Sequence, residues 1–167
     1  MTKRVHFTFF RYFDNLYYKT IKKIIILLGD SVYKDSRMIH GLDDLTGIEF
    51  ERLCAKVLER RGYTNIRFTP ATNDFGIDII AESMQLKFAI QCKRSKASIG
   101  NKAVQEALSG KVYYNCDAAV VVTNQYFTNQ AIQTAKVTNV ILWDRNVFLR
   151  MMQEANLKVK RTRYPGY

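Results

Sequence analysis

The chain has 167 residues, 47% hydrophobic and 25% charged, with 8 Gly and 2 Pro. This composition is that of a globular domain with a real core, with room for an arm, and excludes collagen-like, Pro-rich and wholly disordered classes. Twenty-six Lys and Arg against 15 Asp and Glu give a net charge of +11, which points to a polyanionic partner, either nucleic acid or an anionic membrane surface.

The charge is concentrated at the ends. Residues 1–40 carry eight basic and three acidic side chains, and residues 156–167 carry four basic and none acidic. The body between them, 41–155, is close to neutral. The expected organisation is therefore a basic aromatic arm (1–40), a patterned domain (41–155) and a basic tail (156–167). Solvated ends and flexible phosphate-binding ends both fit this distribution. Within the arm, Leu16, Ile21, Ile24, Ile25 and Leu28 approach helical spacing, which predicts an amphipathic helix near 14–28. Such a helix docks on the body, pairs with another subunit or lies on a membrane, with docking or pairing preferred. The apolar run at 24–28 is too short to span a bilayer, which takes about 20 apolar residues.

In the body, Thr46 and Glu49 form an S/T-x-x-E capping box. Phe50, Leu53, Cys54, Val57 and Leu58 follow on one helical face, and Gly62 stops the helix. A short strand is predicted at 66–69 and a turn at 73–76. Segments 77–82 and 86–94 read as a hairpin joined around 83–85. A helix is predicted over 102–115, with Val104, Ala107, Leu108 and Val112 on one face. The continuous apolar, mostly β-branched run at 118–122 reads as a strand buried on both faces. A helix over 128–137 capped by Thr128, a strand at 140–143, and a helix from an Asp144 cap to 152 complete the order α-β-β-β-α-β-α-β-α. Helices alternating with strands imply an α/β fold with a mixed sheet flanked by helices.

Cys54, Cys92 and Cys116 form no C-x-x-C pair, and their odd number argues against a disulfide framework. Buried free thiols and a reducing, cytoplasmic setting are expected. The two histidines, His6 and His40, fall outside the patterned body and suggest no zinc cluster.

The chemistry is concentrated between Asn73 and Arg94. On a strand, Gln91 and Lys93 share one face, and Ile90 and Cys92 share an apolar reverse face. With Asp78 at the start of the preceding hairpin strand, a carboxylate, an amide oxygen and an ammonium converge. That set suits metal-assisted phosphodiester hydrolysis, because Mg²⁺ prefers oxygen ligands and keeps several waters. Asp78 would be the anionic ligand, and Gln91 and the backbone carbonyl of Cys92 further oxygen donors. Lys93 would orient the attacking water and oppose charge developing on the phosphate.

These residues lie within a longer ordered series: G-I-E-F-E-R-L at 47–53, D-F-G-I-D at 74–78, Q-C-K-R at 91–94, V-Q-E at 104–106, V-V-V-T-N at 120–124 and F-T-N-Q-A at 127–131. The series resembles the Mrr-like restriction endonuclease domain of the PD-(D/E)xK nuclease superfamily, over about residues 41–152. The resemblance implies a restriction-endonuclease-like core and Mg²⁺-dependent DNA cleavage, with Mn²⁺ able to substitute. It carries Asp78, Gln91 and Lys93 across as the active site. Gln91 stands where the wider superfamily more often has an acid, which removes one negative charge and should weaken metal affinity. Glu51 matches the F-E of the pattern and is the favoured first-helix contributor, while Glu49 is assigned to the capping box. Asp74 either helps bind metal or shapes its loop through an Asx-turn. Arg94, Lys96, Lys102 and Gln105 are candidate DNA contacts.

The resemblance does not extend to a recognition domain, because forty residues of aromatic arm are too few for a winged helix with its own core. The leading expectation is a Mg²⁺-dependent endonuclease of DNA acting in restriction or defence, without a small-molecule cofactor. A structure-specific junction or repair nuclease is the second, and a non-catalytic DNA-binding or membrane-associated module on the same fold the third. A double-strand cut takes two active centres or two visits, so a homodimer is a hypothesis.

Overall fold

The computed structural model describes residues 41–70 and 75–157. The arm with its histidines, Asp74 and nearly all of the basic tail lie outside the described residues. Helix α1, Gly47–Arg60, opens on the predicted capping box. The Glu49 carboxylate accepts from the Thr46 N–H at 2.7 Å, and the Thr46 hydroxyl accepts from the Glu49 N–H at 3.3 Å. The Thr46 N–H and hydroxyl pull the Glu49 carboxyl below its ordinary pKa. Phe50, Cys54, Val57 and Leu58 are buried, as their spacing requires.

Five strands follow: β1 (Thr64–Phe68), β2 (Ile79–Ser83), β3 (Leu86–Lys93), β4 (Ala118–Thr123) and β5 (Ile141–Trp143). They form one sheet in the order β1-β2-β3-β4-β5. The first three are antiparallel, and β4 and β5 run parallel to β3. The β2–β3 turn holds two residues, Met84 and Gln85, both at positive φ. That twist matches the strands of a tight hairpin, as in a type I′ turn.

Helix α2 (Asn101–Tyr113) crosses from β3 to β4, α3 (Asn129–Thr138) from β4 to β5, and α4 (Arg145–Glu154) closes the described chain. Thr128 caps α3 by accepting from Ala131 N–H at 3.2 Å, and Asp144 caps α4 by accepting from Val147 N–H at 2.9 Å. Alternate residues of the central strands divide the core. Ile80, Ala89 and Val121 belong to the cluster that also contains Val104 and Ala107 of α2 and Ala131 and Ala135 of α3. On α1 and α4, Phe50 meets Phe148 edge to face at 5.3 Å.

One expectation fails. Of the apolar face expected on α2, Val104 and Ala107 are buried and Leu108 packs against the core, but Val112 is 74% exposed and Ala103 and Gly110 are buried instead. The face toward the sheet is built from small residues, so the helix sits close and is rotated from the orientation its larger side chains suggest.

A polar knot, buried at Arg145 and Asn124 and partly exposed at Asp43, ties the loop after β3 to the start of α4. Arg145, 7% exposed, donates from Nη1 and Nη2 to the two Asp43 carboxylate oxygens at 2.8 and 2.9 Å. Asn124 donates to Asp43 Oδ1 at 2.8 Å and accepts from Ser95 N–H at 2.7 Å. Burial alone would raise the Asp43 carboxyl. The Arg145 and Asn124 hydrogen bonds, with the Arg145 and Arg94 charges, outweigh it and hold the group below its ordinary value.

Candidate active site

Register places the candidate residues together. Ile79 pairs with Ile90 and the Asp78 N–H donates to the Ile90 carbonyl, so Asp78 stands beside Gln91 across the β2–β3 pair. The Asp78 carboxylate accepts from the Cys92 N–H at 2.6 Å, which fixes it against the peptide between Gln91 and Lys93. Gln91 is fully buried, and Lys93 reaches the surface at the strand's end.

A residue that sequence reasoning passed over joins them. Glu106, on α2, accepts from Gln91 Nε2 at 2.7 Å and pairs with Lys93 Nζ at 3.0 Å through the same oxygen, Oε2. Its other oxygen lies 3.7 Å from the exposed Lys102 ammonium. Partial burial would raise the Glu106 carboxyl. The Lys93 and Gln91 hydrogen bonds, with the charges of Lys93 and Lys102, reverse that, so its pKa is lowered. A carboxylate accepts only, so Glu106 also fixes the Gln91 amide with its nitrogen toward α2. Gln91 Oε1 is then a buried oxygen with no hydrogen-bond partner among the described residues.

Gly76 makes this packing possible. Its φ is +74°, and a Cβ there would come within 2.9 Å of both Gln91 Nε2 and Glu106 Cβ. Above lies an open cleft of about 590 Å³, lined by Asp78, Lys93, Glu106, Lys102 and Gln105 among others.

The other candidates are distributed around this centre. Glu51 is half-buried on α1, close enough for its charge to act on Cys92. The Cys92 thiol is pushed well up by burial, then by its contact with the Cys54 thiol and the charges of Asp78 and Glu51. All three cysteines are free. Glu49 is exposed and occupied by the capping box. Arg94 and Lys96 are not among the cleft-lining residues, and Arg94 Nη2 donates to the Asp43 carbonyl at 2.5 Å.

The donor set fits a hard divalent cation. Among the described residues no three His, Cys, Asp or Glu form a metal-binding group. What is present is the Asp78 carboxylate and the unpartnered Gln91 oxygen, both oxygen donors, beside an open cleft with room for the waters that Mg²⁺ retains. No helix of the described residues is long and apolar enough to cross a membrane.

Residues 42–152 match the Mrr_cat family model, described as restriction endonuclease. Among solved structures, the chain is similar to a protein of unknown function, AF1548, with a TM-score of 0.52 and 18% identity over 62% of this chain and 65% of that one. It is also similar to the DNA modification-dependent restriction endonuclease AspBHI, with a TM-score of 0.57 and 19% identity over 72% of this chain and 35% of that one. The chain thus spans just under two thirds of the first protein and about a third of the second. No curated protein matches the chain by sequence. The mixed five-stranded sheet flanked by helices is the restriction-endonuclease-like fold.

Proposed function

The chain belongs to the Mrr_cat restriction endonuclease family, and from that premise we propose that it is a Mg²⁺-dependent DNA endonuclease of a restriction or defence system. The observation that carries the reading is the convergence of Asp78, Gln91, Lys93 and Glu106 beneath one open cleft. Duplex or single-stranded DNA supplies the polyanion that a net charge of +11 favours.

Asp78 and the Gln91 side-chain oxygen would hold the cation, with the Cys92 carbonyl as a third donor and Mn²⁺ an alternative ion. When bound, it lowers the pKa of water and polarises the phosphate. The protein's own groups do the rest. The Cys92 N–H anchors the Asp78 carboxylate, so its second oxygen has a defined direction. Glu106 fixes the Gln91 amide and holds the Lys93 ammonium near the cleft. Lys93 orients the water and stabilises the charge that grows on the phosphate oxygens. Water gives up one proton to solvent as it adds to phosphorus, the bond to the leaving sugar oxygen breaks with its electron pair on that oxygen, and that oxygen takes one proton from solvent. Lys102 and Gln105 meet flanking phosphates from the cleft wall, with Lys96 and Arg94 on the loop beyond. Glu51 is assigned a supporting position near the metal side.

Three free cysteines suit a reducing, cytoplasmic setting. The test is a supercoiled plasmid incubated with the full chain and Mg²⁺ or Mn²⁺, with EDTA controls. Metal-dependent nicking or linearisation supports the reading. Folded protein that retards plasmid, linear and junction DNA yet cuts none of them with either metal refutes it.

A further inference from the structure

We propose that Phe75 and Tyr113 form a stacking platform for an unpaired nucleotide base at the lip of the cleft, so that the preferred substrate is DNA with a locally unpaired strand. The proposal rests on the nuclease reading and names its substrate class. The two rings are stacked, with centroids 4.0 Å apart and planes 26° from parallel, yet Phe75 is 48% and Tyr113 59% exposed. Isolated exposed aromatics are ordinary. Here the pair is held in place from both sides.

Phe75 has φ of +48°, a conformation that a bulky side chain rarely adopts. It is followed by Gly76 at φ +74°, the residue seated against Gln91 and Glu106. Tyr113 is braced by Tyr114, whose ring meets it at 89° and 4.9 Å and which packs against the core. Phe75 lines the same cleft as Asp78 and Lys93. Tyr113 lies seven residues beyond Glu106 on α2, about 10 Å by helical rise, which is about three stacked nucleotides along a strand. An aromatic platform beside cations is how single-stranded nucleic acid is held without sequence preference. Paired bases present no free face to it.

The test uses the full chain in EDTA, where cleavage plays no part. Binding is measured to a paired duplex and to the same duplex with a two-nucleotide bulge containing 2-aminopurine. Wild type should prefer the bulged DNA and quench the analogue on binding. Base–aromatic stacking predicts a preference that drops about fivefold or more in Phe75→Asn and Tyr113→Ser. Asn tolerates the left-handed backbone, so the first change keeps the loop. Val137→Ser, an exposed position on α3, should keep the preference. Equal binding of both DNAs by wild type, or a preference unchanged in both aromatic variants, overturns the proposal. Cleavage in Mg²⁺ is scored separately. Cleavage with no bulge preference refutes the platform alone, whereas an aromatic-dependent preference without cleavage of any DNA supports the platform and refutes the nuclease reading.

Discussion

Replacing Gly110 by Ala sets two effects of opposite sign against each other. By helix propensity alone, the change should stabilise by up to about 1 kcal/mol. The structure places the new Cβ well inside contact with Ile77 Cγ1, with Cδ1 at 2.8 Å and the Phe75 carbonyl oxygen at 3.0 Å. Ile77 is fully buried and β-branched, so it has no open space and little χ1 freedom. Overpacking of this kind costs about 1–3 kcal/mol, occasionally more, and here belongs at the upper end. The expected net change is a loss of about 2 kcal/mol. Gly47→Ala is the control, because nothing lies within 4 Å of the place its new methyl group would take and a gain of a few tenths to about 1 kcal/mol is expected. Urea denaturation of the full chain, followed by far-UV circular dichroism, measures both. Because Glu106 lies one turn before Gly110, a displaced α2 should also slow cleavage at temperatures where the variant is folded. A Gly110→Ala protein as stable as Gly47→Ala would refute the close docking of α2 on the segment 75–77 that leads into β2.

Gly76→Ala combines a left-handed φ with two 2.9 Å approaches, so a loss of about 2–4 kcal/mol is expected by thermal or urea unfolding, with cleavage impaired in the folded fraction. Glu106→Gln should change stability by less than about 1 kcal/mol, since its ion pairs are partly exposed, yet lower single-turnover cleavage by about tenfold or more by releasing Gln91 and Lys93. Arg145→Ala should cost about 2–3 kcal/mol in the same unfolding assay; Asp43 is 40% exposed and rehydrates, which limits the loss. Because the folded Asp43 carboxyl lies below its ordinary value, its contribution is present above about pH 4 and is lost as pH falls through the depressed folded value. Asp43→Asn should therefore flatten the acid limb of stability against pH, and an unchanged limb would contradict the assignment.

Most of the fold is readable because pattern and capping agree. Thr46 with Glu49, Thr128 and Asp144 mark three helix starts by side chains that the structure shows bonded to backbone N–H groups. The run at 118–122 is apolar throughout because β4 lies inside the sheet, between β3 and β5, and is covered on both faces. Asp78, Gln91 and Lys93 come together because strand period and hairpin register are local properties. Glu106 was not legible in the same way. Reading Val104, Ala107, Leu108 and Val112 as the buried face turns α2 by one position and leaves Glu106 at the side. The buried stripe holds Ala103 and Gly110 beside the expected Val104 and Ala107, and Glu106 stands three residues after Ala103 and four before Gly110. Small residues carry a weak hydrophobic signal, although the V-Q-E segment at 104–106 already contained the residue. The knot of Asp43, Asn124 and Arg145 joins positions up to 102 apart in sequence, and no local pattern announces it.

The central claim is tested most directly by single-turnover cleavage of one supercoiled plasmid by wild type, Asp78→Ala and Lys93→Ala, each confirmed as folded by circular dichroism, in Mg²⁺ and in EDTA. The account predicts metal-dependent cutting by wild type and a loss of at least about a hundredfold in both variants. Cutting at the wild-type rate by either variant would contradict it.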